Sequence, residues 1–167
     1  MNQKEIEKDI FEPIIKIIYE FITNENAINI NNSHINLSNN ITLLDDTIYF
    51  KICDNDLDIV FGIWYEQSLQ SHLMHKLNFG EILAHEEVEL KLDTAKEVGN
   101  IIFGNAINHF APQYHNSTLS TPIILEKEIV LSSTHIDKYQ TIQSTLNTDF
   151  GDMTISIIHP KNMIFHK

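Results

Sequence analysis

The 167 residues include no arginine, and the 11 lysines are outnumbered by 23 aspartates and glutamates, for a net charge of -12. Nucleic-acid binding needs clustered cations to neutralise phosphates, so this balance argues against it. Anionic membrane surfaces are disfavoured for the same reason. Cysteine occurs once, as Cys53, which excludes an intrachain disulfide and a cysteine-rich metal cluster. A lone cysteine suits a reducing compartment, and Cys53 reads as a small core residue in a strand. No apolar run reaches the length that spans a bilayer. The opening MNQKEIEKDIFEPIIKIIYEFI alternates charge with apolar residues, unlike a secretory signal. These absences predict a cytoplasmic protein with neither nucleic acid nor membrane as partner. Glycine and proline are also scarce, at 5 and 4 residues, and no linker rich in Gly, Pro or Ser divides the chain. Residues 1–167 therefore read as one domain, long enough to bury a core.

What is present is a series of periodic segments. Ile6, Ile10, Ile14, Ile17, Ile18 and Phe21 recur at helical spacing and predict a helix over 4–23, kinked or broken near Glu12 by Pro13. ENAININNSHINLSNN alternates Ile with polar residues, as a half-exposed strand does. TIYFKICDND and DIVFGIWY read as a hairpin with Asp54, Asn55 and Asp56 at its tip. EQSLQSHLMHKLNFG reads as a short helix closed by Gly80, and EEVELKLDTAKEVGNIIFGNAINHF as a long one ending near Pro112. Four strands follow: STPIILEK, EIVLSSTHI, YQTIQSTLN and DMTISIIHP. The order predicts an α+β fold, a mostly antiparallel sheet with helices on one face.

The long helix holds the candidate site. At about 100° per residue, Asp93, Glu97, Asn100, Gly104 and Asn108 fall within an arc of roughly 80°. Leu92, Ala95, Val98, Ile102, Ala106 and Phe110 lie opposite and must face the sheet. The polar line is thus the solvent face, yet it contains a glycine, which costs about 1 kcal/mol against alanine inside a helix. Two explanations compete. Gly104 either lets a neighbouring element of the same domain pack closely, or admits the backbone of another molecule. Ile101 and Ile107 border the line at exposed angles, the arrangement of a docking surface with apolar flanks.

Other constellations offer less. His72 and His75 share a helix and His85 precedes two glutamates, but no His-Glu-x-x-His occurs and no third ligand follows at metal spacing. His109 projects toward the buried flank of the long helix and reads as a core histidine. His135 and His159 fall on strands without a nucleophile near in sequence. Ser132, Ser133 and Thr134 form no nucleophile elbow. Asp54, Asn55 and Asp56 lack the Gly and terminal Glu of a calcium loop. No metal site is expected.

The motif Asp93-x-x-x-Glu97-x-x-Asn100, with Pro122 following Asn100 after 21 residues, resembles the response-regulator phosphatases CheC, CheX and FliY of bacterial chemotaxis. EVGNIIFGNA is similar to the family's E-x-x-N-x-x-x-G-N-A run, STPIIL to its following strand and FEPIIKIIYEFI to its first helix. The first helix has no Glu-x-x-Asn pair, so the likeness is to the single-motif CheX type. This resemblance implies the CheC-like fold and a phosphatase acting on the aspartyl phosphate of a CheY-like receiver domain, which holds its own Mg²⁺. It implies that Asn100 orients the attacking water, that Glu97 pairs with a lysine of the receiver, and that Asp93 adds a rim contact. Ile101, Gly104, Ile107 and Asn108 would complete the partner surface, with no cofactor bound by this chain. It further implies a homodimer paired through sheet strands, for which STPIILEK and EIVLSSTHI are the expected edges. A non-catalytic module of the same fold, binding a partner in a chemotaxis or flagellar-switch pathway, is the alternative.

Overall fold

A computed structural model of the chain describes residues 10–36, 41–53, 59–78, 85–110, 117–131 and 139–160. The N-terminal helix is α1 (Glu12–Tyr19), with Pro13 in its first turn, where the missing N–H leaves no bond unmade. The break expected near Glu12 is not seen: Ile10 and Phe11 are already helical, in π geometry, and the chain passes into the α-helix at Glu12. Its other end widens into a π-helical segment, Glu20–Glu25, which periodicity alone did not indicate. Strands β1 (Ile30–Asn36), β2 (Ile41–Leu43), β3 (Ile48–Cys53) and β4 (Val60–Tyr65) precede α2 (Gln67–Leu77) and α3 (Glu87–Ile107). Then come β5 (Thr118–Leu119), β6 (Ile123–Ile124), β7 (Ile129–Leu131), β8 (Tyr139–Thr148) and β9 (Gly151–Pro160).

The main sheet runs β1-β8-β9-β4-β3-β5, with β6 also on β3, and every pairing is antiparallel. The α+β expectation holds. Its longest ladder is the β8–β9 hairpin, paired from Tyr139↔Pro160 to Thr148↔Gly151. Gly151 closes the turn at φ +126°, a conformation only glycine adopts readily, and a Cβ there would meet Ser68 Oγ at 2.5 Å. The β3–β4 hairpin also forms as expected, although its Asp54–Asp56 tip lies outside the described residues, as do Gly80, Pro112, Ser132 to Thr134 and His135.

Two strands differ from expectation. STPIILEK contributes only the two residues of β6: Pro122 has no N–H to donate on one side, and on the other the pairing with β3 is carried one step further only by the bonds of Leu125 to Thr47 and Asp46. EIVLSSTHI contributes β7, which leaves the main sheet to pair with β2 in a separate ribbon. The short β2, embedded in polar residues, gave no alternation to read.

Alternation divides the sheet into two faces. Ile48, Phe50, Ile52, Phe61, Ile63, Met153, Ile155 and Ile157 are buried in the principal core together with Ile14, Ile18, Ala95, Val98, Ile102 and Phe103 from the helices. Phe103 of α3 stacks on Phe61 at 5.0 Å between ring centroids and tilts against Phe50 at 5.2 Å. Burying aromatic rings in such pairs contributes beyond their area alone. On the other face Leu43 and Leu125 form a smaller cluster with Tyr49 and Ile158.

His159, near the end of β9, is 1% exposed, and neither ring nitrogen has a hydrogen-bond partner among the described residues. Burial lowers its pKa from the usual histidine value, so the folded protein holds it neutral. The unfolded chain binds that proton more readily, so stability falls as pH drops below about 6.5. His159→Phe should flatten the loss of urea resistance between about pH 7.5 and pH 5.5. An unchanged slope would place the acid sensitivity elsewhere.

Candidate functional site

Helix α3 is seated on the sheet by small residues. Ala95 and Ala106 are buried, and a Cβ added at Gly99 would lie 2.7 Å from Phe50 Cε2 and 3.2 Å from Ile63 Cγ2. The Tyr65 hydroxyl donates to the Ala95 carbonyl at 3.4 Å. Asn78, at the C-terminus of α2, donates to Thr94 Oγ1 at 2.9 Å and fixes the two helices side by side. Sequence reasoning missed Gly99, Tyr65 and Asn78. Gly99 had a legible signal, since it lies within the sheet-facing arc of the helix beside Ala95 and Ala106.

With its apolar flank so fixed, α3 turns Asp93, Glu97, Asn100 and Asn108 outward, all exposed, with the half-exposed Gly104 between them. Asp93 is engaged within the chain, because Lys96 Nζ sits 2.9 Å from its Oδ1. Lys91 is likewise paired with Glu87 at 2.7 Å. Glu97 and Asn100 differ. Neither the carboxylate nor the amide has a partner among the described residues. Asn108 Nδ2 makes only a long 3.5 Å contact with the Gly104 carbonyl.

Gly104 distinguishes between its two explanations. A Cβ built on it meets nothing within 4 Å. Among the described residues nothing requires glycine here, whereas Gly99, just over one turn earlier on the other flank, is the glycine that serves internal packing. Gly104→Ala should therefore raise stability by up to about 1 kcal/mol through helix propensity. Urea midpoints check this, and a destabilised variant would mean that Gly104 packs internally after all.

The apolar border needs correction. Ile107 is only 5% exposed and belongs to the principal core, which α3 shares with the sheet strands it packs against. Ile101 is half-buried and packed against the same core. The strip is thus polar with a single partly exposed aliphatic neighbour. His109 is corrected in the opposite sense. The α-helix stops at Ile107, so the projection that sent His109 inward does not apply, and its side chain is exposed.

The histidines of α2 do not assemble either. His72 stacks on Phe150 at 3.6 Å between ring centroids, and His75 and His85 are exposed. Among the described residues no three side chains of His, Cys, Asp or Glu form a group able to hold a metal ion. Among the same residues no helix is long and apolar enough to cross a membrane.

No protein-family model matches the sequence, and no curated protein matches it. Solved structures do match in shape. A CheC-like superfamily protein from Shewanella sp. PV-4 superposes with a TM-score of 0.66 at 17% identity, covering 95% of this chain and 98% of that one. CheX from Vibrio vulnificus gives 0.63 at 14% identity over 87% and 95%. The CheX–CheY–BeF3–Mg²⁺ complex from Borrelia burgdorferi gives 0.63 at 17% identity over 92% and 99%. The fold expected from the motif resemblance is therefore the fold observed, CheC-like and CheX-like throughout most of the chain.

Proposed function

We propose that this protein, with its CheX-like fold, accelerates hydrolysis of the aspartyl phosphate on a CheY-like receiver domain. The observation that carries the reading is the outward, unpartnered Glu97 and Asn100 beside Gly104, a helical glycine with open space around it. A polar strip stabilised for its own sake would satisfy its carboxylate and would favour alanine at 104. A surface shaped for another molecule's backbone explains both departures. The Borrelia burgdorferi CheX of the same fold is found in complex with CheY, which supports a partner of that class.

In this reading water attacks the phosphorus in line with the acyl oxygen. A new P–O bond forms, the bond to the aspartyl oxygen breaks, and the products are aspartate and inorganic phosphate. Such a displacement asks the protein for position more than for covalent chemistry. The Asn100 side-chain carbonyl accepts one proton of the water and aims its lone pair, without depending on any pKa. Glu97, one helical turn earlier, pairs with a lysine of the receiver and sets the docking register. Asp93, already bonded to Lys96, borders the N-terminal end of the surface, with Ile101 and Asn108 alongside. Ile107 drops out of the surface because it is buried. Mg²⁺ belongs to the partner, and this chain contributes no cofactor. The decisive experiment follows phosphate release from a phosphorylated receiver domain with and without the protein. Binding without faster release would favour the non-catalytic module.

A homodimer through sheet edges remains our expectation, with the edge reassigned. β6 and β7 are too short to carry it. Among the described residues β1 pairs only with β8; it runs for seven residues and contains no Asp, Glu, Lys or Pro that would discourage pairing. Sedimentation should give a two-chain mass at micromolar concentration, and Ile35→Lys, at an exposed position of that edge, should shift it toward one chain. A one-chain mass for the unaltered protein would exclude the dimer.

A further inference from the structure

The sheet face turned away from α3 holds a cleft of about 240 Å³ between the β2–β7 ribbon and strands β4, β8 and β9. Thr42, Trp64, Gln143, Thr145, Thr154 and Ser156 line it, and among the described residues none that lines it is charged. Its walls are fixed by hydrogen bonds. Gln143 Nε2 donates to Ser156 Oγ at 3.1 Å and to the Thr42 carbonyl at 3.2 Å, which ties the ribbon to the sheet. Thr145 and Thr154 share a hydroxyl bond of 3.0 Å across the β8–β9 ladder.

These bonds leave capacity unused. Gln143 spends its amide N–H groups, and its carbonyl oxygen accepts from no described residue. The Ser156 hydroxyl, on a residue 2% exposed, accepts from Gln143 but donates to no described residue. One of the two threonine hydroxyls likewise retains its proton, since their shared bond uses a single donor. The Trp64 indole N–H has no partner among the described residues. A buried hydroxyl donor without an acceptor is costly unless something in the cleft receives it.

We infer that this cleft binds a neutral polyhydroxylated small molecule of about monosaccharide size. Each hydroxyl of such a ligand both donates and accepts, as the mixed lining requires. The aliphatic C–H face of its ring suits contact with the indole. An anion or cation would find no opposite charge among the described lining residues to compensate its lost hydration. A volume near 240 Å³ falls below the range of drug-sized pockets and limits the ligand to one ring. The cleft lies on the opposite sheet face from Glu97 and Asn100, so this inference stands apart from the phosphatase reading.

Trp64 is the only tryptophan in the chain, so its fluorescence reports on this cleft alone. D-glucose, D-galactose and myo-inositol are titrated into the full chain, with L-glutamate as a charged control. At least one neutral probe should change the emission saturably, with half-saturation on the order of 1 mM or tighter. Thr154→Val and Gln143→Leu should each weaken that binding by about tenfold, as loss of one ligand hydrogen bond predicts. Asn100→Ala should leave it unchanged. No saturable change with any of the three, or an equal response to L-glutamate, would overturn the inference. So would undiminished binding by both cleft variants.

Discussion

Asn100→Ala is expected to remove the acceleration of aspartyl-phosphate hydrolysis, by about 10²-fold or more, while affinity for the receiver domain stays within about threefold. The side chain is exposed and makes no bond to any described residue, so truncation leaves the fold undisturbed. What disappears is the acceptor that holds the attacking water in line. Glu97→Ala should behave differently. Its carboxylate is also unpartnered, but its work is in docking, so the variant should lose affinity and turnover together. Raising salt should weaken the parent protein's docking and have less effect on the Glu97 variant. Measuring phosphate release and receiver binding on both variants separates the roles. Unchanged release by Asn100→Ala would defeat the mechanism, and normal affinity with poor turnover in Glu97→Ala would exchange the two assignments. Gly104→Ala adds a third arm, more stable yet weaker in docking, a combination that a purely structural glycine does not produce.

Much of this site was legible because its logic lies on one helix. A period of 3.6 residues fixes which side chains share a face, and up to the last turn of α3 the polar line lies where the pattern put it, although the close seat at Gly99 and the half-burial of Ile101 were not anticipated. There the reading failed. Ile107 projects outward on an isolated helix but is buried in the folded core, whose other members come from elements distant in sequence. His109 was assigned by extending a helix that had already stopped. The sheet shows the same division. The long β8–β9 and β3–β4 hairpins announce themselves by alternation and turn residues, whereas β2, β5 and β6 are two or three residues each and depend on tertiary partners for their existence. Lengths of STPIILEK and EIVLSSTHI were overestimated because Ile and Val also fill irregular chain that folds back onto a sheet. Nothing local indicated that Ile129–Leu131 would join Ile41–Leu43 in a separate ribbon, and so nothing indicated the cleft beneath it.

Gly99→Val should be the most damaging single substitution on α3, destabilising the fold by about 3 kcal/mol. The first added carbon already meets Phe50 at 2.7 and 2.9 Å, inside any normal contact distance. Phe50 cannot swing aside, because its ring is fully buried and held against Phe103, which stacks in turn on Phe61. Ile63 closes the other side at 3.2 Å. Alanine at 99 would regain about 1 kcal/mol of helix propensity against this clash. Valine regains less and adds two branches, so the helix must lift from the sheet. Lifting it also displaces Asn100, the next residue, and Glu97 before it, so function should fail together with stability. Gly99→Val should thus lower the urea midpoint and the rate of phosphate release alike, whereas Gly104→Ala raises the first while lowering receiver affinity. Two glycines on one helix, answering in opposite senses to added carbon, would establish that one seats the helix and the other keeps its outer face open. A Gly99→Val protein as stable as the parent would show that α3 sits higher on the sheet than the 2.7 Å approach requires.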